Sequence, residues 1–185
     1  MNLEYLSKEI SYVLRHNPQQ YGLVLDEQGW VSVDALISSL NRQGRFKSLS
    51  ISDIEKMIRV SEKKRHEVCD GKIRALYGHS TKEKIKREPI KPPDVLYHGT
   101  AQRFVQSILA VGLISKSRQY VHLAEDINTA TNVGKRRDDN PVVLKINAKQ
   151  AWNDGAKFYL GNENIWLADG VPPIYIGILS NDKQA

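Results

Sequence analysis

The chain has 185 residues, 41% hydrophobic and 26% charged, a globular composition far from disordered, collagen-like or membrane sequences. Its one cysteine, Cys69, excludes an intramolecular disulfide, and no Cys pair stands at zinc-ligand spacing. Net charge is +6, and the excess is uneven: residues 1–93 carry 17 basic and 12 acidic side chains, residues 94–185 only 10 and 9. A basic front half favours acidic partners. The first ten residues have no apolar run of signal-peptide length and no later run approaches bilayer thickness, so a cytoplasmic protein without a membrane partner is expected.

Leu3, Leu6, Ile10, Val13 and Leu14 fall at helical spacing. Asn17-Pro18 ends that helix near Arg15-His16, because proline disfavours helical geometry in the residue before it. A second helix is predicted after Ser32 as N-cap, with Val33, Leu36, Ile37 and Leu40 on one face and Gly44 suited to the left-handed position beyond its end. For a third, Ser52 and Glu55 have capping-box spacing, Ser50 is a competing cap, and Ile51, Ile54 and Ile58 form the stripe up to about Val60. The period then changes. His66 to Cys69 and Lys72 to Tyr77 read as strands on either side of Asp70-Gly71, a tight-hairpin dipeptide. Three short helices and a hairpin describe a winged helix, an arrangement used for nucleic acids and for protein contacts alike.

Residues 81–93 are polar, charged and proline-ended, and read as an exposed linker between a lobe at 1–80 and a lobe at 94–185. The second lobe is predicted to be α+β. Its strands are Val95 to His98, Tyr120 to Leu123, Val142 to Ile146, Ile165 to Leu167 and Ile174 to Leu179; one helix runs from Phe104 to Val111, ending at Gly112, and another from Asp126 to near Gly134.

Arg15-His16 at a helix end serves either the helix dipole, at about 0.3–1 kcal/mol each, or an anion site built from a guanidinium fork and an imidazole. Lys63-Lys64-Arg65 is a solvated charge run or part of the same anion site. His98 and His122 each sit in a strand two or fewer residues from a tyrosine, as core or surface residues or as ligand groups. Gly134-Lys135-Arg136-Arg137 is a glycine C-cap followed by a basic loop, or a source of guanidinium for a site. No Gly-rich phosphate loop is present, and His66, Cys69, His79, His98 and His122 have no metal-ligand spacing, so no metal is expected.

Leu14-Arg15-His16-Asn17-Pro18, Lys64-Arg65, Gly78-His79-Ser80, Leu96-Tyr97-His98-Gly99-Thr100, Arg118 with Tyr120-Val121-His122-Leu123, and Val133-Gly134-Lys135-Arg136 before Pro141-Val142-Val143-Leu144 come in one order along the chain. In that order they resemble the RNA 2′-phosphotransferase family, the Tpt1/KptA proteins, over nearly the whole chain. The resemblance implies an N-terminal winged-helix RNA lobe followed by a C-terminal ADP-ribosyltransferase-like mixed α/β lobe. It implies NAD as co-substrate, no metal, RNA carrying a 2′-phosphate (as at a tRNA splice junction) as partner, and no obligate protein partner. In the implied reaction the RNA 2′-phosphate attacks the NAD ribose and expels nicotinamide; the ADP-ribosylated phosphate then transesterifies to 2′-hydroxyl RNA and ADP-ribose 1″,2″-cyclic phosphate.

By the same resemblance the catalytic set is Arg15, His16, Arg65 and Arg136, and NAD is held by His98, Gly99, Thr100, Arg118, His122 and Ile165. Two positions depart from the family pattern: Ala124 stands where serine is usual, and Arg137-Asp138-Asp139-Asn140 replaces His-Gly after Arg136. An ADP-ribosyltransferase for other phosphorylated ends or for protein, and a noncatalytic winged-helix binder, are the alternatives from the residues.

Overall fold

In the computed structural model, which describes residues 1–179, helix α1 (Leu3–His16) starts where the Asn2 side chain accepts the Tyr5 N–H and stops at Asn17. Leu6, Ile10, Val13 and Leu14 on its inner face are wholly buried, each contributing about 1.5–3 kcal/mol of apolar burial. A two-residue strand, β1 (Val31–Ser32), runs straight into α2 (Val33–Arg42), which the Ser32 hydroxyl caps, and Gly44 takes the left-handed geometry expected past its end. Helix α3 (Ile51–Val60) closes its capping box with Ser50 and Asp53 rather than Ser52 and Glu55. The reason lies upstream: the Asn41 side chain bonds both the N–H and the C=O of Leu49, so the chain must enter the helix at the next residue.

Strands β2 (His66–Cys69) and β3 (Lys72–Ala75) turn through Asp70 and Gly71, both at positive φ (49° and 70°), as the dipeptide requires. β3 stops at Ala75, short of the expected Tyr77, and β1 joins it to make a three-stranded antiparallel sheet ordered β1-β3-β2. Contacts divide the chain into two compact units, Met1–Arg87 and Glu88–Ala185. The segment expected as an exposed linker has no helix or strand, yet its first part lies against the N-terminal unit. Ile85 is buried, the Lys86 N–H donates to the Glu27 carbonyl, and the Arg87 guanidinium donates to that of Leu76. One apolar residue among alternating charges anchors it.

The second unit is built on a six-stranded sheet, antiparallel throughout. Its elements are β4 (Val95–Thr100), α4 (Val105–Val111), β5 (Leu113–Ile114), β6 (Val121–Ala124), α5 (Ile127–Gly134), β7 (Val142–Asn147), α6 (Ala148–Asn153), β8 (Phe158–Asn162), β9 (Ile165–Ala168), β10 (Gly170–Val171) and β11 (Ile176–Ile178). The order is β11-β7-β4-β6-β9-β8, with β5 and β10 forming a separate pair. β8, α6, β5 and β10 are additions to the expected elements, and the last strand is shortened because Pro173–Tyr175 form a 3₁₀ turn. Leu96, Leu123, Leu144, Ile146, Phe158 and Trp166 fill the core.

One irregularity positions the site. β4 pairs with β7 at every position from Val95 to Thr100, but with β6 only at Tyr97 opposite Ala124. From His98 onward the two central strands part.

Candidate functional site

In the N-terminal unit, Ser7, Ser11 and Arg15 recur every fourth residue along α1 and so share one face. The start of β2 lies against that face. The Arg65 guanidinium donates to the Ser7 hydroxyl at 3.4 Å, the His66 ring and the Ser11 hydroxyl bond at 3.0 Å, and the Arg15 guanidinium donates to the Arg65 carbonyl at 3.5 Å. His66 is 4% exposed, and burial, with the charges of Arg15 and Arg65, pushes its pKa down to about 3. It is therefore a neutral post between two guanidiniums.

Loop 77–80 completes the cluster. Arg15 lies over the Tyr77 ring, 5.0 Å from its centroid. Gly78, at φ 92°, turns the backbone beside Arg15: a Cβ there would lie 3.5 Å from the Arg15 side chain. His79 is buried and its Nε2 has no hydrogen-bond partner among the described residues; burial and nearby cations, Arg87 foremost, push its pKa down to about 3. Ser80 bonds His16 Nδ1 through its hydroxyl at 2.8 Å and donates its N–H to the Arg15 carbonyl at 2.9 Å. Arg15 and His16 thus stand at the C-terminal end of α1, where the Arg65 carbonyl meets Arg15, while the Arg65 guanidinium reaches Ser7 two turns earlier; Lys63 and Lys64 are exposed.

The second unit gathers a different set. Where β4 and β6 part, the His98 side chain bridges the gap by donating Nδ1–H to the His122 carbonyl at 2.9 Å. Burial lowers the His98 pKa, and the bond to His122 opposes that shift without cancelling it. The ring is neutral, and with the proton on Nδ1 its Nε2 carries a lone pair. Gly99 lies directly under α5: a Cβ would stand 1.8 Å from the Ala130 carbonyl oxygen. Gly134 is not the left-handed cap expected from sequence. It is the last helical residue, and its missing side chain makes room for Pro141, whose Cβ a Gly134 Cβ would meet at 2.6 Å.

Arg136 follows in the exposed turn after α5. The loop beyond it, where the sequence departs from the family pattern, is pinned: Asp138 accepts the Gln102 and Asn140 N–H groups at 3.0 and 3.1 Å, and the Gln102 side chain donates to the Asn140 carbonyl at 3.1 Å. Those backbone donors hold the Asp138 carboxyl below its usual range. Thr100 is buried, and Arg118 lies in the exposed segment before β6. Ile165 stands opposite Ala124, while His122 stands opposite Leu167, so the aliphatic residue is displaced along the strand from the second histidine. Ala124 is 4% exposed. Among the described residues no three His, Cys, Asp or Glu side chains gather into a set able to hold a metal, and no helix is long and apolar enough to cross a membrane.

Ser7, Ser11 and Ser80 hold the cationic cluster without having been singled out for that from sequence. The serine spacing above Arg15 was the available signal for the first two.

A model of the family described as RNA 2′-phosphotransferase, Tpt1/KptA family, matches residues 2–170. The chain belongs to that family. Three relatives carry the name "Probable RNA 2′-phosphotransferase". The one from Acetivibrio thermocellus is 56% identical over 171 residues, 92% of this chain and 94% of that protein. The one from Bacillus thuringiensis is 53% identical over 176 residues, 95% of each, and the one from Agrobacterium fabrum is 44% identical over 181 residues, 97% of this chain and 95% of that protein. Membership makes the chain an RNA 2′-phosphotransferase, an NAD-dependent transferase.

Proposed function

We propose that the chain removes an internal 2′-phosphate from RNA, such as one left at a tRNA splice junction, by passing it to NAD. In this assignment the helices and hairpin of the first unit are a winged-helix RNA lobe, and the sheet of the second is an ADP-ribosyltransferase-like NAD lobe. The observation that carries it is the holding of Arg15, Arg65 and His16 against α1 by the uncharged Arg65 carbonyl, Ser7 and Ser80. Neutral partners leave the charge of both guanidinium forks, and the imidazole, for a phosphate dianion bound along that helix.

The nucleophile is already anionic and needs no base, so orientation and charge stabilisation do most of the work. Arg15 and Arg65 orient the phosphate, Arg136 adds a guanidinium as charge develops, and His16 moves the proton in the second step. His98, with an acceptor at Nε2, takes a hydrogen bond from a ribose hydroxyl of NAD. Gly99, whose missing side chain seats α5 on β4, and buried Thr100 shape the cofactor site at the parted strands, with His122, Ile165 and Arg118 completing its contacts. NAD supplies the electrophilic ribose carbon and the nicotinamide leaving group. No step in this scheme calls on a metal ion.

Incubation with 2′-phosphorylated RNA and NAD tests the proposal, with products identified by mass spectrometry. Release of nicotinamide with 2′-hydroxyl RNA and cyclic-phosphorylated ADP-ribose is expected. Folded protein that yields none of them overturns it.

A further inference from the structure

We propose that Ser80 is the positioning residue that lets His16 carry a proton in both directions; the inference rests on the role given to His16 above. Ser80 is tied twice to the end of α1, by its N–H to the Arg15 carbonyl (2.9 Å) and by its hydroxyl to His16 Nδ1 (2.8 Å). The backbone bond engages one of the last helical carbonyls, which have no partner within the helix, and so places the hydroxyl whatever the ring does. The loop itself is set by Gly78 at φ 92° and by buried His79, which lies near Gly29.

The chemistry asks for such a partner. In the second step the bond from ribose O2″ to phosphorus forms and the bond from phosphorus to the RNA 2′-oxygen breaks. One proton leaves O2″ and one arrives on the RNA oxygen, so the step consumes none overall. A histidine that takes the first and returns the second passes through its neutral and protonated forms, exchanging protons at Nε2. With exchange at Nε2, Nδ1 carries its proton in both forms, so the Ser80 hydroxyl oxygen accepts from Nδ1–H throughout. Ser80 thereby holds the ring and fixes the tautomer that leaves Nε2 bare when the ring is neutral.

The test follows single turnovers of 2′-phosphorylated RNA with NAD, resolving formation and decay of the ADP-ribosylated intermediate. Ser80→Ala is expected to slow decay about tenfold, the equivalent of one lost hydrogen bond, so that the intermediate accumulates while thermal midpoint and RNA affinity hold. Ser80→Thr, which keeps the hydroxyl, is expected to restore decay. Nitrogen-15 spectra of the His16 ring provide a second readout, with Ser80→Ala changing the tautomer signature and Ser80→Thr preserving it. Decay at the wild-type rate in Ser80→Ala, or no rescue by Ser80→Thr, overturns the proposal. If His16→Ala decays slowly but Ser80→Ala does not, only the positioning role falls; if His16→Ala itself runs at the wild-type rate, the proton-moving role of His16 falls and Ser80's role with it.

Discussion

Each unit fixes a histidine ring through Nδ1, and the two choose opposite partners. His16 stands exposed at a helix end and bonds the Ser80 hydroxyl, which accepts or donates; His98 spans the gap between parted strands and bonds the His122 carbonyl, which only accepts. Exposure leaves the first ring where water can stabilise its protonated form, as the proton exchange proposed for it requires. The second makes a fixed acceptor, neutral because burial disfavours its charged form. The element that carries each ring sets its surroundings: a helix end leaves one exposed beside a serine hydroxyl, and a sheet leaves the other facing backbone.

The comparison breaks most sharply at the glycines. Gly99→Ala places a methyl 1.8 Å from the Ala130 carbonyl oxygen, and denaturant titration is expected to show a loss of at least about 4 kcal/mol with collapse of NAD binding. Gly78→Ala meets nothing nearer than 3.5 Å, so only its left-handed strain remains, about 1–2 kcal/mol. Equal losses in the two variants would show that the units do not differ in packing as described.

On the role proposed for Arg65, Arg65→Ala removes a charge-assisted bond to phosphate from the first unit alone. Turnover is expected to fall about tenfold to several hundredfold with NAD affinity unchanged, as measured by steady-state kinetics and NAD titration.

Acid tests the buried rings next. His66 and His79, both in the first, have folded values near 3 against about 6.5 when unfolded. Between those limits the unfolded chain binds more protons, so stability is full above about pH 6.5 and falls as pH drops. From pH 7 to pH 5 each histidine is expected to cost about 2 kcal/mol, seen as a falling urea midpoint. A midpoint constant over that range would mean that the two rings are charged in the fold.

The smallest effect is expected at His98. Phenylalanine there cannot donate to the His122 carbonyl or accept from a ribose, and NAD affinity should weaken about tenfold while RNA affinity holds. A calorimetric titration with each substrate separates the two.

Much of the first unit was legible because its signals are local. The apolar spacing of Leu6, Ile10 and Leu14 and the proline after Asn17 define α1, and Asp70-Gly71 has the chemistry of the turn it makes. Where a distant partner decides, local pattern fails. Asn41 sets the start of α3 through Leu49, and Pro141 rather than a helix cap explains Gly134. β8 escaped notice because Phe158–Asn162 has no clean alternation, its register being shifted between Leu160 and Asn162.

By itself the sequence determined the family, the uneven charge and the identity of the arginines and histidines to watch, since motif order survives without coordinates. Only the tertiary structure decided what each ring touches. The His16 to Ser80 bond joins residues 64 apart and the His98 to His122 bond residues 24 apart. Such pairings follow from the packing of whole elements, and a hydrogen bond depends on distances of tenths of an ångström that no spacing along the chain encodes.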